Sequence, residues 1–304
     1  MSQQNSIVNW RKEEKTMSKS KMKKLGVLTV CAFTIVAAII ATRGTSAQAQ
    51  NAAVETTRCQ TGCLLPPTGL LGWWPGDGNA NDIQLGSNGT LMNGATFAPG
   101  LVRQAFSFDG FSAFVKVPDT PALHAVTTAV TVDAWINPQP PPAGFGWIFA
   151  RRDPFVSESI GLAINDVGFL VTTVQTNVQS ASDIYSAVPV IQFDGQCQHV
   201  AMTADTATGQ VLLYLNGQPV PLQVVGGSGT VSGTFANVRH LFIGKRQSSD
   251  TPEGAGGGAH YKGLIDEVEV YNRALSPTEI QAIFFVGKKG KCKPHTQLHL
   301  DLRG

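Results

Sequence analysis

Gly263-Leu-Ile-Asp-Glu-Val-Glu-Val-Tyr271, running on into Asn-Arg-Ala-Leu-Ser276-Pro-Thr-Glu279-Ile-Gln-Ala-Ile283, is the stretch that decides the fold. Its first half reads as a strand, with Ile265, Glu267 and Glu269 on one face and Asp266, Val268 and Val270 on the other. Its second half opens a short helix. Ser276 can cap it, Pro277 suits the first helical position, and Glu279 completes a capping box. Ile280, Ile283 and Phe284 give that helix one apolar stripe, which must lie on something.

Upstream, short apolar runs alternate with turn residues. Leu70 to Trp74 reads as a first strand, and Trp73 and Trp74 must point to opposite faces, so at most one joins an inner core. Leu91 and Phe97 begin short strands separated by the tight-turn dipeptide Asn93-Gly94. Phe106-Ser-Phe108 turns at Asp109-Gly110 into Ala113 to Val117, which reads as a hairpin. Val130 to Ile136 alternates as a central strand, and Trp147 to Ala150, Gly161 to Ile164 and Phe169 to Thr172 read as a three-strand meander. Gln175 to Ser182 is polar and reads as a loop; His199 to Thr203, Val211 to Leu215 and Leu241 to Ile243 are further strands. Ser248 to Ala259 is Gly-rich and expected to be mobile. Many short strands with turn signals, 42% hydrophobic residues, 32 glycines among 304 residues and no repeat point to one β-sandwich.

The chain opens with an address. Lys19 to Lys24 form a positive region, Leu25 to Ala41 are nearly all apolar, and Ala47-Gln-Ala49 is a small-x-small cleavage site, so residues 1–49 read as a signal peptide. An uncleaved anchor is the alternative, and Met17 or Met22 would make a better start. Cleavage removes Cys31 and leaves Cys59, Cys63, Cys197 and Cys292, an even number in an oxidising compartment. Four cysteines allow three connectivities, and Thr61-Gly62 would permit a tight Cys59–Cys63 bridge. Residues 50–67 read as a mobile leader and 287–304 as a disordered basic tail. The formal net charge is only +2, with much of the basic excess near the two ends, which excludes a nucleic-acid groove.

The closing stretch resembles that of LamG-like jelly rolls, members of the concanavalin A-like lectin/glucanase superfamily. Gly69 to Pro75, Asp77 to Asp82, Ala105 to Gly110, Val115 to Asp119, Thr131 to Ile136, His199 to Ala201 and Leu213 to Gly217 fall in the family's order. The resemblance implies a two-sheet antiparallel jelly-roll sandwich over residues 68–286, with one short C-terminal helix. Neighbouring first and last strands then imply a Cys63–Cys292 disulfide, leaving Cys59 with Cys197. It also implies binding or adhesion, with extracellular carbohydrate as the leading ligand and a surface protein or scaffold role as the alternative.

Three chemistries are to be weighed. Calcium needs hard oxygen ligands, and Asp77, Asp82 and Asp266 could supply them, since such domains often carry structural calcium. Equally, Asp77 and Asp82 could make Asx turns and Asp266 could accept backbone N–H groups. Glycoside hydrolysis needs two carboxylates flanking the scissile bond. Glucanase relatives take theirs from Glu-x-Asp-x-Glu, and here Asp266, Glu267 and Glu269 miss that spacing and read as solvated strand carboxylates. No Gly-x-Ser-x-Gly, His-Glu-x-x-His or phosphate loop is present, and Cys197 with His199 fits structural roles better than a thiol–imidazole pair. The expectation is therefore a non-enzyme, without membrane attachment once the signal is removed. Sugars stack on aromatic rings flanked by polar groups, for which Trp147, Tyr185 and Tyr261 are the candidates.

Overall fold

The computed structural model describes residues 62–142, 144–152, 159–246 and 259–294. The signal segment, Cys59, most of the leader, nearly all of the Gly-rich stretch and the tail from residue 295 lie outside the described residues. The strands are β1 (Leu70–Trp74), β2 (Thr90–Met92), β3 (Thr96–Pro99), β4 (Gln104–Asp109), β5 (Phe114–Val117), β6 (Ala129–Pro138), β7 (Phe145–Arg152) and β8 (Ser159–Asn165). They continue as β9 (Leu170–Thr176), β10 (Gln179–Ser186), β11 (Gln198–Asp205), β12 (Gln210–Leu215), β13 (Gln218–Pro219), β14 (Leu222–Gly226), β15 (Leu241–Ile243) and β16 (Lys262–Tyr271).

Two antiparallel sheets result. The first runs β13-β12-β11-β6-β16-β4-β3, and the second β14-β10-β9-β8-β7-β15-β5-β2. β16 sits inside the first sheet: β6 lies along one edge, while β4 and then β1 share the other. The chain is thus an all-β, two-sheet antiparallel jelly-roll sandwich with one short helix, α1 (Pro277–Val286). Between the sheets the core takes the inward residues of both, including Trp74, Phe106, Val132, Ile136, Leu162, Met202, Leu213, Ile265, Val268 and Val270. Trp73 points the other way and joins a second cluster on the outer face.

Several local expectations change. Asp109-Gly110 does not close a hairpin, because β4 pairs within the first sheet and β5 within the second. The Asn93-Gly94 turn makes the same crossing between β2 and β3, with both residues at positive φ (50° and 87°). Gln175 to Ser182 is not a loop: β9 runs to Thr176 and β10 begins at Gln179.

Strict alternation along β16 also fails. Glu267 adopts φ 56°, and the register against β6 slips between Asp266 and Glu269. This one-residue bulge resets the alternation. Ile265, Val268 and Val270 therefore all face the core, where period two would have split them.

The helix forms as its sequence requires. Ser276 Oγ accepts from the Glu279 N–H at 3.2 Å, and Glu279 Oε2 accepts from the Ser276 N–H at 2.8 Å. Arg273 forks onto the same carboxylate at 2.6 and 3.0 Å. Ile280 and Ile283 are buried against Trp73, Ala201, Tyr214 and Tyr271 on the outer face of the first sheet. Each such side chain contributes about 1.5–3 kcal/mol.

The expectation of a disordered tail from residue 287 fails for 287–294. Leu64 forms a parallel bridge to Lys291, and Cys63 is disulfide-bonded to Cys292 with a Cα–Cα distance of 5.0 Å. The leader and tail are thus clamped together as a strap over the sheet, and Lys291 is buried beneath it.

Candidate functional site

Two places collect the chemistry-bearing residues, and they lie on opposite outer faces of the sandwich. The first is the acidic side of β16. Because of the bulge, Asp266, Glu267 and Glu269 avoid the core and face the strap, where they are buried rather than solvated. Lys291 Nζ lies 2.9 Å from Glu269 Oε1 and 3.8 Å from Asp133 Oδ2. Lys293 Nζ lies 2.7 Å from Glu267 Oε1 and 2.6 Å from Asp77 Oδ2. Trp73 Nε1 donates to Glu267 Oε2 at 2.9 Å, and Tyr271 OH to Glu269 Oε2 at 2.5 Å.

Burial dominates the titration here. It raises Asp266 to about 8 against the pull of the Val102 N–H, with Glu267 adding repulsion. Glu269 is likewise raised to about 8 by burial, with Asp133 adding to the shift and Lys291 resisting it. Burial also raises Glu267, although Lys293 and Lys291 oppose it. For Lys291 burial favours the neutral amine, but Glu269, Asp133 and Glu267 together push its pKa up. Glycoside hydrolysis would need two carboxylates open to a sugar. Glu267 and Glu269 are 1% and 0% exposed, each against a lysine.

The calcium candidates scatter. Asp82 accepts four backbone N–H groups: Trp73 and Gln84 on Oδ1, Leu85 and Ser87 on Oδ2, at 2.8–3.2 Å. Asp77 lies between Lys293 and Arg103 and accepts from the Gln104 N–H. Asp266 Oδ2 accepts from the Val102 N–H at 2.8 Å. Among the described residues no group of three or more His, Cys, Asp or Glu is arranged to hold a metal ion. These carboxylates face donors and cations, so the set does not suit calcium. Beside them opens a cleft of about 740 Å³, whose lining includes Asp77, Arg103, Lys289 and Lys293.

Cys197 carries a free thiol among the described residues; Cys59, its expected partner, lies outside them. Burial and the nearby Asp266 push that thiol up, away from a reactive thiolate. His199 turns to Asp133 instead, Nε2 to Oδ2 at 3.2 Å.

The second place is the outer face of the second sheet. Outward residues of β7, β8 and β9 form a small cluster of Trp147, Ala150, Ala163 and Val171, against which Phe145, Phe169 and Tyr185 pack half-buried. The Tyr185 ring meets Phe145 edge-on at 6.3 Å and Phe169 at 6.2 Å. The Trp147 ring lies over Gly161, where even a Cβ would come within 2.2 Å of it. Arg246 lies 5.0 Å from the same ring. Trp147 and Tyr185 are therefore brought together, with Trp147 as the buried floor. Tyr261 is not part of this platform. It is fully buried in the core between the sheets, edge-on to Phe108, with its hydroxyl donating to the Leu264 carbonyl. Its core role follows from the close approach of Gly146, which period alone does not reveal. Phe169 was not singled out from sequence, though it follows a turn whose N–H groups Asn165 gathers.

The family model described as the concanavalin A-like lectin/glucanases superfamily matches residues 109–281, more than half of the chain. The chain belongs to that superfamily. Comparison with curated proteins by sequence finds no match. Among solved structures it is similar to the binding domain of Paraclostridial Mosquitocidal Protein 1, with TM-score 0.54 and 13% identity over 71% of this chain and 52% of that one. It is also similar to a mutant of Trypanosoma rangeli sialidase displaying trans-sialidase activity, with TM-score 0.53 and 19% identity over 72% and 33%. Domain 4 of AbnA, a GH43 extracellular arabinanase from Geobacillus stearothermophilus, gives TM-score 0.49 and 18% identity over 70% and 97%. The chain thus spans about half of the first protein's chain and a third of the second's. At these identities the likeness is one of fold.

Proposed function

We propose that this superfamily member is an extracellular, non-catalytic binding module whose ligand class is carbohydrate. The superfamily joins lectins and glucanases, and folds host many activities, so the residues must decide. The observation that carries the reading is the outer face of the second sheet, where half-buried Tyr185, Phe145 and Phe169 rest on Trp147. Beside them stand the polar side chains of Thr173 and Asp183, hydrogen-bonded to each other at 2.6 Å, and the exposed Gln223 opposite Tyr185. A ring held by its neighbours beside fixed polar groups is what a sugar's apolar face and hydroxyls require. The non-catalytic part is supported by the carboxylates of β16, which are held under the strap by lysines. An extracellular setting is supported by the disulfide. Among the described residues no helix is long and apolar enough to cross a membrane.

The test is a glycan array on the secreted protein. Wild type should be retained on a restricted set of glycans, and Tyr185→Ala should weaken retention roughly tenfold, about 1.4 kcal/mol. Tyr185→Phe should keep it, and circular dichroism should show all three proteins folded. Retention on no glycan would overturn the reading in favour of a protein-binding scaffold. Reducing sugar released from β-glucans by wild type but not by Glu267→Gln would overturn the non-catalytic part.

A further inference from the structure

We propose that Lys291 and Asp133 become joined by an intramolecular amide bond, formed within the folded protein with Glu269 as the proton carrier. The three side chains come from the strap, β6 and β16, and are 2%, 1% and 0% exposed. Lys291 Nζ lies 2.9 Å from Glu269 Oε1, within reach for proton transfer, and 3.8 Å from Asp133 Oδ2. The Trp73 ring lies 5.9 Å from Nζ, and Lys291 also lines the cleft of about 740 Å³, into which the released water can leave.

The two carboxylates differ in what engages them: the Tyr271 hydroxyl donates to Glu269 Oε2 and His199 faces Asp133 Oδ2, while Glu269 Oε1 has only its ion pair with Lys291 and Asp133 Oδ1 has no hydrogen-bond partner. His199 Nδ1 is also without one, while its Nε2 faces Asp133 Oδ2. With its proton on Nε2, His199 donates to the Asp133 carboxyl and makes its carbon more electrophilic. Asp133 is thus the acceptor of attack and Glu269 the relay.

The step balances without any co-reactant. Burial favours a protonated Glu269, which passes its proton to Asp133 and takes one from the Lys291 ammonium; the carboxylates around that ammonium raise its pKa, so this transfer runs uphill. A neutral amine then faces a neutral carboxylic acid. Nζ attacks Cγ of Asp133, the C–N bond forms, and a second proton moves from nitrogen through Glu269 to the departing oxygen. The C–O bond breaks, one water leaves, and Glu269 ends as it began. Two opposite charges have left the interior, where their attraction does not reliably repay their desolvation. In water such a condensation is unfavourable. Fixed geometry offers an effective concentration on the order of 10⁵ M or more, and the three side chains are at most 2% exposed. Lys293 supplies the contrast within the same strap. It too touches carboxylates, but its side chain is 20% and that of Asp77 22% exposed, so solvent keeps that pair ionic.

Mass spectrometry of the reduced, secreted protein tests this. The intact mass should fall short of the sequence mass by one water, and a reduced tryptic digest should contain a branched peptide joining the Lys291 and Asp133 segments. Lys291→Arg and Glu269→Gln should restore the full mass, and Lys293→Arg should leave the loss unchanged. Because wild type alone is decisive, misfolding of a variant does not blunt the test. A full intact mass overturns the proposal. So does a mass deficit with linear Lys291 and Asp133 peptides, as dehydration at Asp109-Gly110 would give.

Discussion

Asp82→Asn separates the two roles open to this carboxylate, metal ligand or organiser of its own loop. In the structure Asp82 is 6% exposed and both its oxygens are occupied by backbone donors. An asparagine that keeps Oδ1 on Trp73 and Gln84 turns an NH₂ group toward the Leu85 and Ser87 N–H groups. One buried donor, the Ser87 N–H, and one part-buried donor, the Leu85 N–H, then lose their acceptor and meet a third donor. At roughly 1–3 kcal/mol for each unsatisfied group, the loss should be about 3 kcal/mol. For a domain of this size that lowers the melting temperature by about 6–12 °C. Urea unfolding followed by tryptophan fluorescence reads it directly, since β1 carries Trp73 and Trp74 beside the loop. The midpoint should fall with an unchanged slope. Wild type should melt alike with calcium and with chelator, because no lone pair of Asp82 is left for an ion. A loss under about 1 kcal/mol in the variant, or a calcium-dependent rise in the wild-type melt, would refute the reasoning.

The remaining expectations concern charge and packing. Asp266 and Glu269 are each raised to about 8 in the folded protein, above their unfolded values of 3.8 and 4.5. The folded state therefore holds more protons between those limits, and stability should fall as pH climbs from about 5 to about 8. Below that window the sign reverses, because Asp109 and Glu279 are lowered to about 2 and lose their bonds on protonation. Urea midpoints across the range should peak in mildly acid buffer, and a profile rising toward pH 8 would count against the burial of these acids. Gly161→Ala sets a methyl group against the Trp147 ring and should cost about 1–3 kcal/mol, read by thermal melting. A neutral outcome would mean that Trp147 does not lie over β8.

How much of this was legible in the sequence depends on where each residue's partner sits. The capped helix, the β7-β8-β9 meander and the opposite facing of the two tryptophans rest on neighbours in sequence, and local pattern found them. β10 was missed because Ser182 and Ser186 take its core-facing positions, so its apolar alternation is erased. Their hydroxyls are satisfied within the sandwich, Ser186 by the Val188 carbonyl and Ser182 by the Ser228 N–H. The bulge at Glu267 left no mark either, since positive φ at a glutamate is uncommon and cannot be read from composition.

The strap shows why the remaining misreading ran in one direction. Lysines after a helix and carboxylates on a strand each read as solvated when taken alone, because a charge is cheapest in water. Lys291 and Lys293 instead face Glu269, Asp133, Glu267 and Asp77, residues far away along the chain. Either set buried without the other would carry uncompensated charge, costing several kcal/mol per ion. The bulge and the strap are therefore one arrangement. The extra residue at Glu267 turns three acids away from the core, and the Cys63–Cys292 clamp holds two lysines over them. A local reading sees half of each pair and sends both halves to the surface. The closing strand thus fixes the fold through its apolar face, while its acidic face secures the strap. The proposed sugar platform is on the opposite sheet, where Tyr185 stands half-open on a floor of buried rings.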